Sequence, residues 1–138
     1  MAELIVAADL VKRGYRVAFP FGEDCDFDLL FWRPPSIALE RVQVKYTESN
    51  AEVIDVCASS HSLTNGRVRA TKRYTQETID WLAAYDVTTG CCYYIPATEL
   101  GSGMREIRLR LVPTKNNQQQ GIRMAADYLV PTIGGSGP

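Results

Sequence analysis

The chain has 138 residues, 46% of them hydrophobic and 22% charged, with a formal net charge of -1. That length and balance fit a single globular domain with a real core, and no apolar run approaches the ~20 residues needed to cross a bilayer. The near-neutral charge argues against general nucleic-acid binding but leaves room for a local basic face.

The opening MAELIVAADLVKRG reads as an amphipathic helix over Glu3–Arg13. Leu4, Ala7, Ala8 and Val11 fall at the spacing of one helical face. Lys12 and Arg13 suit its C-terminal end, Gly14 suits the position just beyond, and Glu3 suits the first turn. Glu3 and Asp9 interrupt the apolar run, and there is neither a basic leader nor a small-residue cleavage site. The segment is therefore expected to be a helix and not a signal peptide, and the protein is expected in the cytoplasm.

YRVAFPF follows as a strand with Tyr15, Val17 and Phe19 on one side, and Pro20 limits its pairing. GEDCD is a polar turn, and FDLLFW a second strand that carries Asp28 into an apolar run. RPPS is a turn, and LERVQVKY a third strand antiparallel to the second. AEVIDVCA alternates again and is expected to extend the meander. The stretch from Ser59 to Asp80 has few large apolar residues, an Asn65-Gly66 turn signal and four cations, Arg67, Arg69, Lys72 and Arg73. It is expected to be a basic loop.

WLAAY and CCYYIP read as two strands around DVTTG, and ATEL as a short helical turn. REIRLRLV alternates, with Ile107, Leu109 and Leu111 inward and Arg108 and Arg110 outward. KNNQQQGIRMAADYLV is polar and then weakly helical. The expected organisation is one domain over residues 1–130 and a flexible tail over 131–138, with no internal repeat. The four cysteines lack the paired spacing of a zinc site and are expected to be reduced, mostly buried thiols. Tyr74, Trp81, Tyr85, Tyr93 and Tyr94 are expected in the core or an interface, and His61 in a loop.

The chemistry concentrates in LERVQVKYTE. Alternation puts Val42, Val44 and Tyr46 on one face and Arg41, Gln43 and Lys45 on the other, with Gln43 and Lys45 about 7 Å apart. If the second and third strands pair, Asp28 sits beside them, and the N-terminal helix brings Glu3. Two carboxylates, a side-chain carbonyl and a lysine suit a hard divalent cation beside a reacting phosphate. Lys45 would orient a water or offset developing charge. The plainer alternatives are a Lys45 that snorkels from a half-exposed strand, a solvated Gln43, and a Glu3 that merely complements its helix dipole. The basic residues have a plain alternative too, as a solvated surface.

The order Glu3, Asp28, Gln43-x-Lys45 on helix, strand and strand resembles the PD-(D/E)XK nuclease superfamily, and more closely the group I intron homing endonucleases of cyanobacterial type and their relatives. The resemblance runs through AELIVAADLVKRGYRVAFPFGEDCDFDLL, RVQVKY, YTQETIDWLAAYDVTTGCCYYIP and LRLVPTKNNQQQGIRMAADY. It implies a restriction-endonuclease-like α/β fold, with a mixed, mostly antiparallel central sheet flanked by helices. It also implies a metal-dependent endonuclease that hydrolyses phosphodiester bonds of double-stranded DNA, uses Mg²⁺ with Mn²⁺ as a substitute, and works as a homodimer or homotetramer.

Residue by residue, Glu3 takes the place of the helix carboxylate and Asp28 that of the metal-binding aspartate. Gln43 stands where most of the superfamily has Asp or Glu, and Lys45 is the motif lysine. All four are expected to be catalytic, the first three as metal ligands. Phe27, not Pro, precedes Asp28, which departs from the common motif. Arg67, Arg69, Lys72, Arg73, Arg108 and Arg110 are then expected to contact DNA. Two alternatives stand beside cleavage at a specific site: a non-cleaving nucleic-acid-binding protein of the same fold, and a resolvase or repair nuclease that reads DNA structure.

Overall fold

The computed structural model describes residues 1–22, 25–64, 67–116 and 120–132, and the side chains of residues 61–70 lie outside that description. A five-stranded sheet holds the molecule together, in the order β1 (Arg16–Ala18), β2 (Leu29–Trp32), β3 (Glu40–Thr47), β7 (Trp81–Asp86), β8 (Cys91–Pro96). β3 and β7 run parallel and the other three pairs are antiparallel, so the sheet is mixed as expected. Two ribbons complete the strands: β4 (Val53–Cys57) with β9 (Glu106–Arg110), and β5 (Ser59–Thr64) with β6 (Arg67–Arg73).

Alternate residues of the sheet serve two covers, which is why β7 and β8 are nearly continuous in apolar residues. On one face Leu29, Phe31, Val42, Val44, Trp81, Ala83 and Tyr94 pack under helix α1 (Ala2–Lys12). On the other, Leu82, Ala84, Tyr93 and Ile95 pack against Ile54, Val56, Ile107 and Leu109 of the β4–β9 ribbon. The ATEL turn is a 3-10 helix, Ala97–Leu100, and a second 3-10 turn spans Ala125–Tyr128. Ile107 and Leu109 face inward and Leu111 is half-buried, as the alternation predicts. The aromatic set is in the core: Tyr74, Trp81, Tyr93 and Tyr94 are all buried and Tyr85 packs against the helix-side cluster.

The helix is where predicted, and it ends on Gly14 at φ +90°, where a residue with a Cβ is disfavoured. Its buried stripe differs. Val6, Ala7 and Leu10 are inward, whereas Leu4 and Val11 are exposed. The helix is apolar nearly all round, so periodicity alone did not fix its phase. The true stripe, followed one turn back from Val6 and Ala7, passes through Glu3, whose side chain stays 44% exposed.

Five further expectations are corrected. Phe19 is half exposed beyond the short β1, since Pro20 ends the pairing there. Tyr46 is 59% exposed, and its ring tilts against that of Tyr85. β4 leaves the meander to pair with β9. The basic stretch is a hairpin and not a loop: Ser59 to Thr64 pairs with Arg67 to Arg73, and the Asn65-Gly66 turn itself lies outside the described residues. Of the cysteines only Cys92 is buried, with its thiol pushed up to about 12 by burial, while Cys25 and Cys57 are exposed. Pro131 is buried, and residues 133–138 of the expected tail lie outside the described residues. Among the described residues no helix is long and apolar enough to cross a membrane.

Candidate active site

Antiparallel pairing of β2 and β3 sets Leu29 opposite Val42. The ladder continues one bond further, from Asp28 N–H to the Val42 carbonyl at 2.8 Å. That bond turns Asp28 onto β3. Its Oδ2 accepts from the Val44 backbone N–H at 2.9 Å and from Gln43 Nε2 at 2.8 Å. The half-buried Asp28 carboxyl has its pKa raised, first by burial. The Val44 N–H opposes that rise, the charge of Glu3 adds to it, and the charge of Lys45 opposes it. Glu3, Gln43 and Lys45 therefore all act on one carboxylate.

Each partner is held by its own element. Glu3 stands in the first turn of α1, with its pKa lowered chiefly by its own backbone N–H at the helix start. The Met1 amino group lies 3.2 Å from its Oε2. The helix is fastened at its other end, where Asp9 accepts from Tyr94 Oη at 2.5 Å and Arg13 Nε at 3.0 Å. Arg13 also donates to the Leu129 carbonyl at 2.7 Å. β3 is fastened at its start, where Arg33 forks onto Glu40 and Arg41 onto Asp80. Lys45 Nζ donates to the Ser59 carbonyl at 3.2 Å.

The donor set fits a hard divalent cation: two carboxylates and an amide oxygen, all oxygen donors, with the two negative charges matching the ion's two positive ones. Among the described residues no group of three His, Cys, Asp or Glu side chains gathers to hold a metal, so a cation here would need the Gln43 oxygen beside the two carboxylates. In the arrangement seen, Gln43 turns its NH₂ to Asp28. To offer its oxygen to a cation, the amide must rotate about its last bond, which is a soft torsion.

The basic residues divide. Arg67 and Arg69 lie on β6 by backbone, with side chains outside the described residues, as is that of His61. Lys72 pairs with Asp26, tying the hairpin to the loop that precedes Asp28. Arg73 lines a recess with Cys57, Ser59 and Arg105. Arg108 forks onto Asp55, its cross-strand partner, while Arg110 donates, among the described residues, to the carbonyls of Val112 and Pro113. Arg108 and Arg110 share a recess of about 520 Å³ with Lys115 and Arg123, two cations that sequence reading missed. The isolated pairing of Arg110 with Met124 brings Arg123 there, and no local pattern signals it.

Comparison with known proteins follows the same lines. The sequence profile of the PD-(D/E)XK endonuclease family matches residues 1–131. A solved structure, that of the bacterial homing endonuclease I-Ssp6803I, superposes with a TM-score of 0.68 at 23% identity, over 92% of this chain and 82% of that one. At that identity the likeness establishes the fold. No curated protein sequence matches the chain.

Proposed function

The chain belongs to the PD-(D/E)XK endonuclease family, and from that premise we propose that it is a divalent-metal-dependent endonuclease of homing type that hydrolyses both strands of duplex DNA in the cytoplasm. The observation that carries this reading is Asp28. A half-buried carboxylate with a raised pKa accepts from Gln43 and feels the opposed charges of Glu3 and Lys45. Such a constellation is costly for folding and suited to catalysis.

In this reading Asp28, Glu3 and the Gln43 side-chain oxygen hold Mg²⁺, with Mn²⁺ as a substitute. The cation supplies charge against the phosphoryl oxygens and a water activated for attack. Lys45 presents its ammonium to the scissile phosphate and offsets the charge that develops there. Lys72 and Arg73, with Arg67 and Arg69 of the same hairpin, contact the DNA backbone near the site. Arg108 and Arg110 contact it further along, joined by Lys115 and Arg123. One site cuts one strand, so a double-strand break calls for a homodimer or homotetramer with two-fold symmetry.

The test is cleavage of plasmid and phage DNA with Mg²⁺ or Mn²⁺, comparing the wild type with Asp28→Ala and Lys45→Ala. Metal-dependent cutting lost in both variants supports the site. Cutting that survives Asp28→Ala refutes it.

One observation favours a second reading, a non-cleaving DNA-binding protein of the same fold. The Gln43 NH₂, not its oxygen, faces Asp28. Calorimetry separates the two: that reading requires that Mg²⁺ not bind at millimolar concentration.

A further inference from the structure

Lys45 is held in two ways at once. Its Nζ donates to the Ser59 carbonyl at 3.2 Å and stands 5.3 Å from the centroid of the Tyr74 ring. Both partners stand at the foot of the β5–β6 hairpin. Ser59 opens β5 and pairs with Arg73, the last residue of β6, and Tyr74 follows directly. The foot is itself anchored. Tyr74 N–H donates to the Ala58 carbonyl at 3.1 Å, and Ala58 N–H to the Arg105 carbonyl at 2.8 Å. Tyr74 is 4% exposed, within the core under the β4–β9 ribbon, so its ring has little freedom.

The chemistry of the two partners is the same. A carbonyl oxygen and the face of an aromatic ring both offer electron density to an ammonium. A lysine ammonium on a four-carbon stem is otherwise free to sample many rotamers. We propose that Tyr74 is a positioning residue for Lys45: with the Ser59 carbonyl it fixes the ammonium beside Asp28, so that the foot of the β5–β6 hairpin sets where the site's positive charge lies. Of the three N–H bonds on Nζ, the one to Ser59 fixes its distance, the ring fixes the side from which the stem approaches, and the remainder are left for the phosphate. The inference rests on the reading of Lys45 as the site's cation for its consequence in catalysis, but not for its geometry.

The test has two independent readings, both on the full chain. In the wild type, ring current from Tyr74 should move the Lys45 ε-methylene protons upfield of those of the other lysines. The resonance is assigned by its loss in Lys45→Arg. Tyr74→Phe, which keeps the ring, should keep that shift, and Tyr74→Leu should abolish it. Wild-type ε-protons at the ordinary lysine position would overturn the proposal whether or not Tyr74→Leu folds.

The second reading is single-turnover cleavage with Mg²⁺. Tyr74→Leu should be slower by about tenfold with DNA affinity unchanged, and Tyr74→Phe should stay within about twofold of wild type. A Tyr74→Phe enzyme as slow as Tyr74→Leu would assign the effect to the hydroxyl and refute a role for the ring. If the wild type cuts no DNA, the nuclease reading falls, while the proton shifts still decide the placement of Lys45.

Discussion

Replacing Gln43 by Glu puts a second carboxylate where an amide now donates to Asp28 at 2.8 Å. Two consequences can be sized. The hydrogen bond to a charged acceptor is lost, a change of ~1.5–3 kcal/mol. In its place stand two like charges, whose repulsion at that separation is about 6 kcal/mol with an effective dielectric of 20. The pair will relieve most of that by rotating apart or by sharing one proton, so a net destabilisation of about 2 kcal/mol is expected at pH 8. That corresponds to a fall in melting temperature of roughly 8 °C for a chain of this size.

The sign with pH follows from the direction of the shift. Asp28 already titrates above its ordinary value, and a second carboxylate raises the pair further. A folded-state pKa raised above the unfolded one favours folding at low pH, and that contribution is lost as pH rises through the folded value. The Gln43→Glu penalty should therefore be small at pH 5 and full at pH 8. Mg²⁺ should reverse it, because the added charge becomes a ligand. Affinity at pH 8 should improve at least tenfold, ~1.4 kcal/mol. Melting curves at both pH values with and without Mg²⁺, together with calorimetric titration, measure every part of this. Equal melting temperatures at pH 5 and 8, with Mg²⁺ binding no tighter than wild type, would refute the assignment of Gln43 as a metal-facing neighbour of Asp28.

Asp28→Asn should abolish cleavage yet leave stability at pH 8 within about 1 kcal/mol of wild type or above it, because it removes a charge that burial disfavours; urea unfolding at pH 4 and 8 should show the variant gaining on wild type as pH rises. Wild-type Mg²⁺ affinity should weaken as pH falls through the raised pKa of Asp28, with proton release on binding in that window, which titration in buffers of different ionisation enthalpy detects. Tyr94→Phe removes the 2.5 Å bond to Asp9 that fastens α1, and should lower the melting temperature by roughly 5–10 °C. Arg110→Ala should make the salt dependence of DNA affinity shallower by about 0.9 in log–log slope, and Arg108→Ala by less, since Asp55 already neutralises that guanidinium.

Where local rules act on their own, the sequence was readable. The alternation of β3, the β7–β8 hairpin and the Gly14 stop at the end of α1 were all legible. Reading failed where two local answers were equally good. An α-helix with Leu4, Val6, Leu10 and Val11 spread around its axis offers two apolar stripes, and only the sheet selects the one that buries Val6, Ala7 and Leu10. The β5–β6 hairpin was missed for the opposite reason. It carries few large apolar residues to reveal a period of two, and the Asn65-Gly66 dipeptide was its one sequence signal. The parallel pairing of β3 with β7 joins residues nearly forty positions apart, and nothing near either strand specifies it.

The candidate site divides along the same line. Asp28, Gln43 and Lys45 were legible because they break an apolar pattern within two adjacent strands. What holds them was not. The Ser59 carbonyl is backbone, and backbone carries no sequence signal. Tyr74 looks like any core aromatic until its ring is found beside an ammonium. The Asp26–Lys72 pair joins the loop before Asp28 to the same hairpin whose foot holds Lys45. Both sides of the site thus lean on one ribbon, and that ribbon carries four of the cations proposed to meet DNA. A phosphate drawing Lys72 away from Asp26 would act on the approach to Asp28, and a strain along β6 would act on Tyr74 and then on Lys45. In the nuclease reading, Lys72 and the foot that holds Lys45 belong to one hairpin, so the groups proposed to meet DNA and those proposed to react share a support.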